Sequence, residues 1–213
     1  MPNTRWTLVT GASSGIGAEL ARVFAARGHH VVLTARRRDR LEALGREIET
    51  AHRGRAEIVA ADLADPDGPD ALMREVEGRG IALTNLVNNA GFGLRGSFAG
   101  QPLDEVMGML ALNVTALTRL THLALPAMLA RGDGGIMNVA STAAFQAGPN
   151  MAVYYATKAY VLSFSEALHE EVRERGVRVT ALCPGPTRSE FAKRADMEES
   201  RLFRRAAMSA RDV

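Results

Sequence analysis

The sequence predicts an α/β fold, a doubly wound parallel sheet with helices on both faces, and three observations support this prediction. Short apolar runs alternate with longer segments of helical periodicity. The runs are apolar enough to be buried on both sides, as strands of parallel sheets are. A glycine-rich turn follows the first run, at a strand-to-helix junction. Because no linker or low-complexity stretch divides the 213 residues, we expect a single domain over residues 1–213.

Each predicted strand is a short apolar run bounded by turn residues. The six strands are Trp6–Thr10, His30–Ala35, Ala56–Ala60, Leu83–Asn88, Ile136–Ala140 and Val177–Leu182. Helices are predicted from the glycine-rich turn to Gly28, from Asp39 to about Ala51, over Pro66–Gly78, as one or two helices within Leu103–Arg131 with a kink at Pro126, and over Val153–Arg175. Residues 190–213 are polar, Arg-rich and weakly helical, and no further strand is expected there.

Composition excludes several classes of protein. The formal net charge of +2 is too small to indicate a nucleic-acid partner. The single cysteine, Cys183, excludes an internal disulfide and is interpreted as a small buried hydrophobe. The five histidines show no ligand spacing, so no metal site is expected. Without a secretion signal or a membrane-spanning pattern, we expect a cytoplasmic protein with no membrane partner.

The glycine-rich turn is Thr10-Gly11-Ala12-Ser13-Ser14-Gly15-Ile16-Gly17. Glycines at such a turn let backbone amides approach a pyrophosphate, and the following helix N-terminus favours negative charge. An ordinary βα turn is the alternative, but strand, turn and helix stand in the order that dinucleotide binding requires.

The end of the second predicted strand indicates which dinucleotide is bound. A ribose 2′-hydroxyl usually pairs with an acidic residue there, whereas a 2′-phosphate pairs with arginine. The strand is followed by Arg36, Arg37 and Arg38, with no carboxylate before Asp39. We assign Arg36 to the phosphate and therefore predict NADP(H) rather than NAD(H). The alternative is that the three arginines open a solvated helix, which would account for Arg37 or Arg38.

Three residues form a candidate catalytic group. Tyr154 and Lys158 are four apart on a predicted helix and share a face, whereas Tyr155 and Tyr160 have no lysine four residues on. A nearby ammonium lowers a phenol's pKa and makes it a usable proton donor and acceptor. Ser141 ends the fifth predicted strand, where its hydroxyl and that of Tyr154 can reach one carbonyl oxygen. Capping of the following turn is the alternative role for Ser141.

Taken in order, TGASSGIG at 10–17, NNAG at 88–91, Asn113, Ser141, Tyr154-x-x-x-Lys158 and Pro184-Gly185 resemble the motifs of the short-chain dehydrogenase/reductase family. The resemblance runs from residue 6 to about residue 190 and implies a Rossmann-type fold that carries cofactor and catalytic residues in one domain. Family members continue with another helix and a final strand. We therefore expect the sheet to lack its final strand and residues 190–213 to form a substrate loop or lid.

The resemblance implies a role for each matching residue. Tyr154 is the expected general acid/base, Lys158 lowers its pKa and holds the nicotinamide ribose, Ser141 orients the substrate carbonyl, and Asn113 supports a proton relay. The expected cofactor-binding residues are Gly11, Ser13, Ser14, Gly15, Ile16, Gly17, Arg36, Asp62, Leu63, Asn89, Ala90, Gly91, Tyr154, Lys158, Pro184, Gly185 and Thr187.

These observations predict an NADP(H)-dependent oxidoreductase that interconverts a carbonyl and a secondary alcohol on a small, fairly apolar substrate. The expected pocket residues are Gly91, Phe92, Gly93, Leu94, Phe145, Met151 and Phe191, with Arg188 and Lys193 as the charged candidates. The alternative function is a non-catalytic dinucleotide-binding sensor or scaffold. Apolar faces on helices 113–131 and 153–175 predict a homodimer or homotetramer.

Overall fold

The core of the molecule is one parallel sheet, seen in a computed structural model that describes residues 5–188, 190 and 207–213. Its strands are β1 (Trp6–Thr10), β2 (His30–Ala35), β3 (Ala56–Ala60), β4 (Leu83–Asn88), β5 (Gly134–Val139) and β6 (Val177–Leu182). All pairings are parallel, in the order β3-β2-β1-β4-β5-β6. The predicted doubly wound sheet is confirmed, and its direction of winding changes between β1 and β4, where a crevice opens at the carboxyl edge.

Helices connect the strands and cover the sheet. In the described ranges they are α1 (Gly15–Ala26), α2 (Arg38–Ala51), α3 (Gly68–Gly78), α4 (Leu103–Leu110), α5 (Leu117–Arg131) and α6 (Ala152–Val172). A 3₁₀ turn at Arg173–Arg175 follows α6, and Gly176, with φ of +77°, ends the segment as predicted. Among the described residues, none of the helices is long and apolar enough to cross a bilayer.

The sheet separates two apolar layers because successive strand residues point to opposite faces. Leu8 and Val32 pack with residues of α3, α5 and α6 on one face. Val9, Val31 and Leu33 pack with residues of α1 and α2 on the other. All five side chains are fully buried. The sheet is therefore a rigid platform covered on both faces, and its carboxyl edge is held in place from both sides.

Two predicted boundaries moved by two residues. β5 starts at Gly134 rather than Ile136, because Gly134 and Gly135 pair with the start of β6. α3 starts at Gly68 rather than Pro66, with a proline still in its first turn. These shifts leave the ends of the strands that face the crevice almost where the sequence predicted them.

The 103–131 helical region contains an irregularity that the sequence did not predict. The segment Ala111–Ala116 is a π-helical turn between α4 and α5, while Pro126 lies inside the continuous helix α5. π-helical turns are rare and concentrate at functional sites. Asn113 stands in this turn, and its side chain bonds to Phe92 and Thr157.

A small second sheet corrects one expectation. Thr187–Arg188 (β7) pairs in parallel with Met208–Ser209 (β8), so a two-residue strand does occur within 190–213. The sequence did not predict it because a two-residue pairing has no periodicity to detect. Residues 191–206, to which the predicted lid and weak helix mostly belong, lie outside the described residues.

Candidate active site

A cavity of about 780 Å³ opens at the crevice between the carboxyl ends of β1 and β4. Nearly all of the residues predicted for the site line it. They are Gly11, Ser13, Ser14, Gly15, Ile16, Arg36, Asp62, Leu63, Asn89, Ala90, Gly91, Ser141, Tyr154, Lys158, Pro184, Gly185 and Thr187. Gly17 and Asn113 do not line it. The topology thus brings together residues that are up to 176 positions apart in the sequence.

The glycine-rich turn has the backbone geometry that its glycines predict. Gly11 and Gly15 have φ of +66° and +58°, in the left-handed region that favours glycine. Gly17 lies behind the turn, and a Cβ there would stand 2.5 Å from the Gly11 carbonyl oxygen and 2.4 Å from Asn89 Nδ2. Gly17 therefore permits close packing of α1 against the turn, which differs from the predicted direct contact with cofactor.

The loop after β4 is tied to the glycine-rich turn across the crevice. Thr10 Oγ1 accepts hydrogen bonds from the backbone N–H groups of Asn89 and Ala90, each at 2.9 Å. Asn89 Nδ2 donates to the Thr10 carbonyl at 2.8 Å. The two loops that line the middle of the cavity therefore form one hydrogen-bonded unit.

Tyr154 lies at the inner end of the cavity, where its side chain is 8% exposed. Burial raises the pKa of Tyr154 to about 12, and a hydrogen bond with the Ser141 side chain acts in the opposite direction. Ser141 Oγ also accepts from the backbone N–H of Ala143 at 3.1 Å, at the start of a 3₁₀ turn. Ser141 therefore caps this turn and also lies beside the Tyr154 hydroxyl, while the joint contact of both hydroxyls with a substrate carbonyl oxygen stays a prediction.

Lys158 is buried beside Tyr154, with Nζ 5.9 Å from the centroid of the tyrosine ring. Nζ donates to the Val139 carbonyl at 2.7 Å, and burial lowers the pKa of Lys158 to about 8. The predicted lowering of the Tyr154 pKa by Lys158 is not observed, because burial of the phenol outweighs the other effects and the net shift is upward. In this structure both groups are desolvated, and burial shifts the pKa of each in the direction that disfavours its charged form.

Asn113 is buried, and its side chain connects the loop after β4 to α6. Oδ1 accepts from the Phe92 N–H at 3.0 Å, and Nδ2 donates to the Phe92 carbonyl at 2.9 Å and to Thr157 Oγ1 at 3.1 Å. Thr157 Oγ1 in turn donates to the Tyr154 carbonyl at 2.7 Å. Asn113 is thus a positioning residue for the helix that carries Tyr154, and its part in a proton relay stays a prediction.

At the opposite end of the cavity, Arg37 contacts the glycine-rich turn. Its Nη2 donates to Ser13 Oγ at 2.9 Å and to Ser14 Oγ at 3.2 Å, a contact that a solvated helix start alone does not account for. The signal that could have identified it is adjacency, since β1 and β2 are neighbours and residues just beyond their ends meet. Arg36 also lines the cavity, with its side chain 64% exposed. Arg38 pairs with Glu42 at 3.6 Å on the helix surface, as a solvated helix predicts.

Some of the residues predicted for the substrate pocket line the cavity and others do not. Gly91, Phe92 and Met151 line the cavity, while Phe145 is 66% exposed and Arg188 is exposed, and neither lines it. Gly93 and Leu94 do not line it either. Phe191 and Lys193 lie outside the described residues. The sequence did not point to Leu112, Ala143, Gln146 and Tyr155, which also line the cavity.

Metal coordination and thiol chemistry are the two other kinds of chemistry that His, Cys, Asp and Glu side chains could supply. Within the described ranges, no group of three or more His, Cys, Asp and Glu side chains could hold a metal ion. Cys183 is half-buried and packs against the cluster of Leu117, Ala140 and Val161. Burial raises the pKa of its thiol, as expected for a small hydrophobe rather than a nucleophile.

Several known proteins are similar to this chain in sequence, and several solved structures are similar to it in architecture. The chain is 40% identical over 191 residues to sulfoacetaldehyde reductase of Chromohalobacter salexigens, a match covering 88% of this chain and 74% of that protein. It is 34% identical over 192 residues to human very-long-chain 3-oxoacyl-CoA reductase, covering 88% of this chain but only 61% of that protein. The chain therefore spans less than two thirds of the human relative.

Among solved structures, a short-chain dehydrogenase from Sphingobium yanoikuyae in complex with NADPH is 37% identical and has a TM-score of 0.90, over 98% of this chain and 80% of that one. The family model described as short chain dehydrogenase matches residues 5–200. Since that match covers the whole sheet and every residue that lines the cavity, the chain belongs to the short-chain dehydrogenase family.

Proposed function

We propose that this chain is an NADP(H)-dependent oxidoreductase that interconverts a carbonyl and a secondary alcohol. The observation that carries the proposal is the hydrogen bond between Ser141 and the buried Tyr154, at one end of a cavity whose other end is lined by the glycine-rich turn and Arg37. The same cavity therefore has a proton donor at one end and hydrogen-bond donors for an anionic cofactor at the other.

The residues at the glycine-rich turn fit a dinucleotide pyrophosphate. α1 begins at Gly15 with no acidic residue in its first turn and no side-chain hydrogen bond from its N-cap, Ser14. The N-terminal amides of α1 are thus not neutralised by its own carboxylates, and the helix dipole favours an anion there. The absence of side chains at Gly11 and Gly15 lets the backbone approach the phosphates closely.

The preference for NADP(H) over NAD(H) rests on the arginines after β2. Arg36 and Arg37 both line the cavity, and Arg37 already donates to Ser13 and Ser14. Guanidinium groups bind phosphates in a forked geometry, whereas a carboxylate at this position would repel the 2′-phosphate. The NADPH complex of the Sphingobium yanoikuyae relative supports the same preference.

Tyr154 is the proposed general acid in reduction and general base in oxidation. With its pKa raised to about 12, the phenol is protonated at neutral pH and can donate to a developing alkoxide. Ser141, hydrogen-bonded to it, would hold the substrate carbonyl oxygen beside the phenol. When bound, the dinucleotide supplies or accepts the hydride. Lys158 would hold the nicotinamide ribose and Asn113 would support the relay of the proton.

The proposed substrate is small and fairly apolar, because Phe92, Ala143, Met151 and Tyr155 line the cavity and pack with Tyr154 in one apolar cluster. A homodimer or homotetramer formed through α5 and α6 is also proposed. Tyr160 on α6 is 39% exposed and stacks on Phe164, and its hydroxyl bonds to Thr118 on α5 at 2.9 Å, which gives those helices a shared outer surface.

Fluorescence titration with NADPH and NADH, followed by a panel of aldehydes and ketones with NADPH, tests the proposal. We expect tighter binding of NADPH than NADH and NADPH oxidation with at least one carbonyl compound. The alternative, a dinucleotide-binding sensor or scaffold, predicts NADPH binding with no turnover on any panel member. Equal affinities would remove the arginines as selectors, and failure of both dinucleotides to bind would contradict the cofactor assignment.

A further inference from the structure

One carboxylate in the cavity has no role in the function proposed above. Glu190 lines the cavity and accepts four hydrogen bonds from three residues. Its Oε2 accepts from Ser14 Oγ at 3.0 Å and from Arg37 Nη2 at 2.6 Å. Its Oε1 accepts from Arg37 Nη1 at 3.1 Å and from Arg40 Nη1 at 2.6 Å. Both oxygens of the Glu190 carboxylate thus accept hydrogen bonds, and the carboxylate lies between the glycine-rich turn and the start of α2.

Two of the three residues that donate to Glu190, Ser14 and Arg37, are also placed to hold a cofactor phosphate. Ser14 belongs to the glycine-rich turn, and Arg37 follows β2, where a ribose 2′-phosphate is recognised in dinucleotide-binding folds. Arg37 also bonds to Ser13, so two hydroxyls and a guanidinium converge on this point. Carboxylate and phosphate oxygens accept the same charge-assisted hydrogen bonds in the same forked geometry.

We propose that Glu190 is an internal competitor that occupies the anion site of the cofactor's 2′-phosphate in the free protein and must leave when NADP(H) binds. The inference rests on the proposed function, since it presumes that the cavity binds a phosphorylated dinucleotide. Glu190 would thus weaken the preference for NADP(H) over NAD(H) that Arg37 is proposed to create. Loss of Glu190 would therefore tighten binding of NADPH and leave binding of NADH almost unchanged.

The Glu190 carboxylate stays charged, so it can always compete, and its ion pair with Arg37 is exposed to water, so a phosphate can displace it. The hydrogen bond from Arg37 is the main cause that lowers the pKa of Glu190 to about 2, so the carboxylate stays charged at any working pH. The side chains of Arg37 and Glu190 are 41% and 45% exposed, and ion pairs so exposed to water are individually modest. A phosphate of higher charge can therefore displace the carboxylate.

The opposite role is also physically reasonable and has the opposite consequence. If Glu190 holds Arg37 in its binding conformation and stays in place beside the cofactor, its removal would let Arg37 move and would weaken NADPH binding. The sign of the change in affinity thus separates competition from positioning.

The test is titration of wild type and Glu190→Ala with NADPH, NADH and adenosine 2′,5′-bisphosphate, which carries the 2′-phosphate without a nicotinamide. Binding is read by fluorescence or calorimetry and needs no turnover. We expect Glu190→Ala to bind NADPH and the bisphosphate about threefold to tenfold more tightly, with NADH changed less than twofold, the range that a network of exposed ion pairs supports.

Glu47→Ala is the matched control. Glu47 accepts two hydrogen bonds from Arg22, at 2.7 and 2.9 Å, does not line the cavity, and should leave all three affinities unchanged. Equal or weaker NADPH binding by Glu190→Ala would overturn this inference and leave the proposed function standing. Failure of wild type to bind either dinucleotide or the bisphosphate would overturn both.

Discussion

The two ends of the cavity are built in different ways. At the catalytic end, Tyr154 and Lys158 are 8% and 7% exposed and stand on a helix packed against the sheet. At the other end, Arg37 and Glu190 meet with more than 40% of each side chain exposed to water. Electrostatic interactions are strong and geometrically fixed where water is excluded, and weak and exchangeable where it is not. We infer that the buried end performs the chemistry and the exposed end selects the cofactor.

After Tyr154→Phe, discussed last, the largest effect is expected from Ser141→Ala at the same end of the cavity. Removing a hydroxyl that orients the reacting oxygen should lower kcat by about 10²–10³-fold, because an unreplaced donor in a water-excluded site is costly. The NADPH dissociation constant should change little. Ser163→Ala, an exposed serine on α6, is the control. A kcat within a few-fold of wild type would show that Ser141 serves only to cap the following 3₁₀ turn.

At the exposed end, Arg37→Ala should change selection rather than chemistry. We expect NADPH to bind about tenfold more weakly, the loss of roughly one charge-assisted hydrogen bond, with NADH almost unaffected and kcat at saturating NADPH preserved. Arg38→Ala, whose partner is Glu42, is the matched control. Parallel measurement of Arg36→Ala decides which arginine carries the preference. An equal loss of affinity for NADPH and NADH would contradict a role in selection.

A smaller effect is expected in the pH dependence of stability. The pKa of Lys158 is about 8 in the folded chain, below its ordinary value of 10.5. Between these values the unfolded chain binds more protons than the folded one, so the free energy of unfolding should rise with pH. Urea unfolding at pH 7.5, 8.5 and 9.5 measures this slope. Lys158→Met should reduce the slope of the unfolding free energy against pH. Equal slopes in both proteins would show that folding does not lower the pKa of Lys158.

The sequence predicted the buried parts of the molecule well, because burial leaves a periodic signal. β1, β2, β3, β4 and β6 begin and end where the apolar runs predicted. Tyr154, Lys158 and Ser141 meet as expected, since the carboxyl end of β5 and the start of α6 are close in the chain and at one edge of the sheet. The same reasoning overlooked burial as the main influence on the Tyr154 pKa.

What the sequence did not reveal depends on contacts between distant residues. The π-helical turn at Ala111–Ala116 holds Asn113, whose bonds reach Phe92 and Thr157, and no local pattern encodes them. The Glu190–Arg37 pair joins residues 153 positions apart. Surface charges of this kind carry no periodicity, so only the fold identifies which of several arginines faces the cavity.

Tyr154→Phe, measured for turnover and for NADPH binding in the same preparation, tests the division between the two ends most directly. We expect kcat to fall by about 10²–10⁴-fold, the usual contribution of a positioned general acid, while the NADPH dissociation constant stays within about twofold of wild type. Tyr155→Phe, a neighbouring phenol that also lines the cavity, should keep turnover within a few-fold. Full activity in Tyr154→Phe would contradict the assignment of chemistry to the buried end.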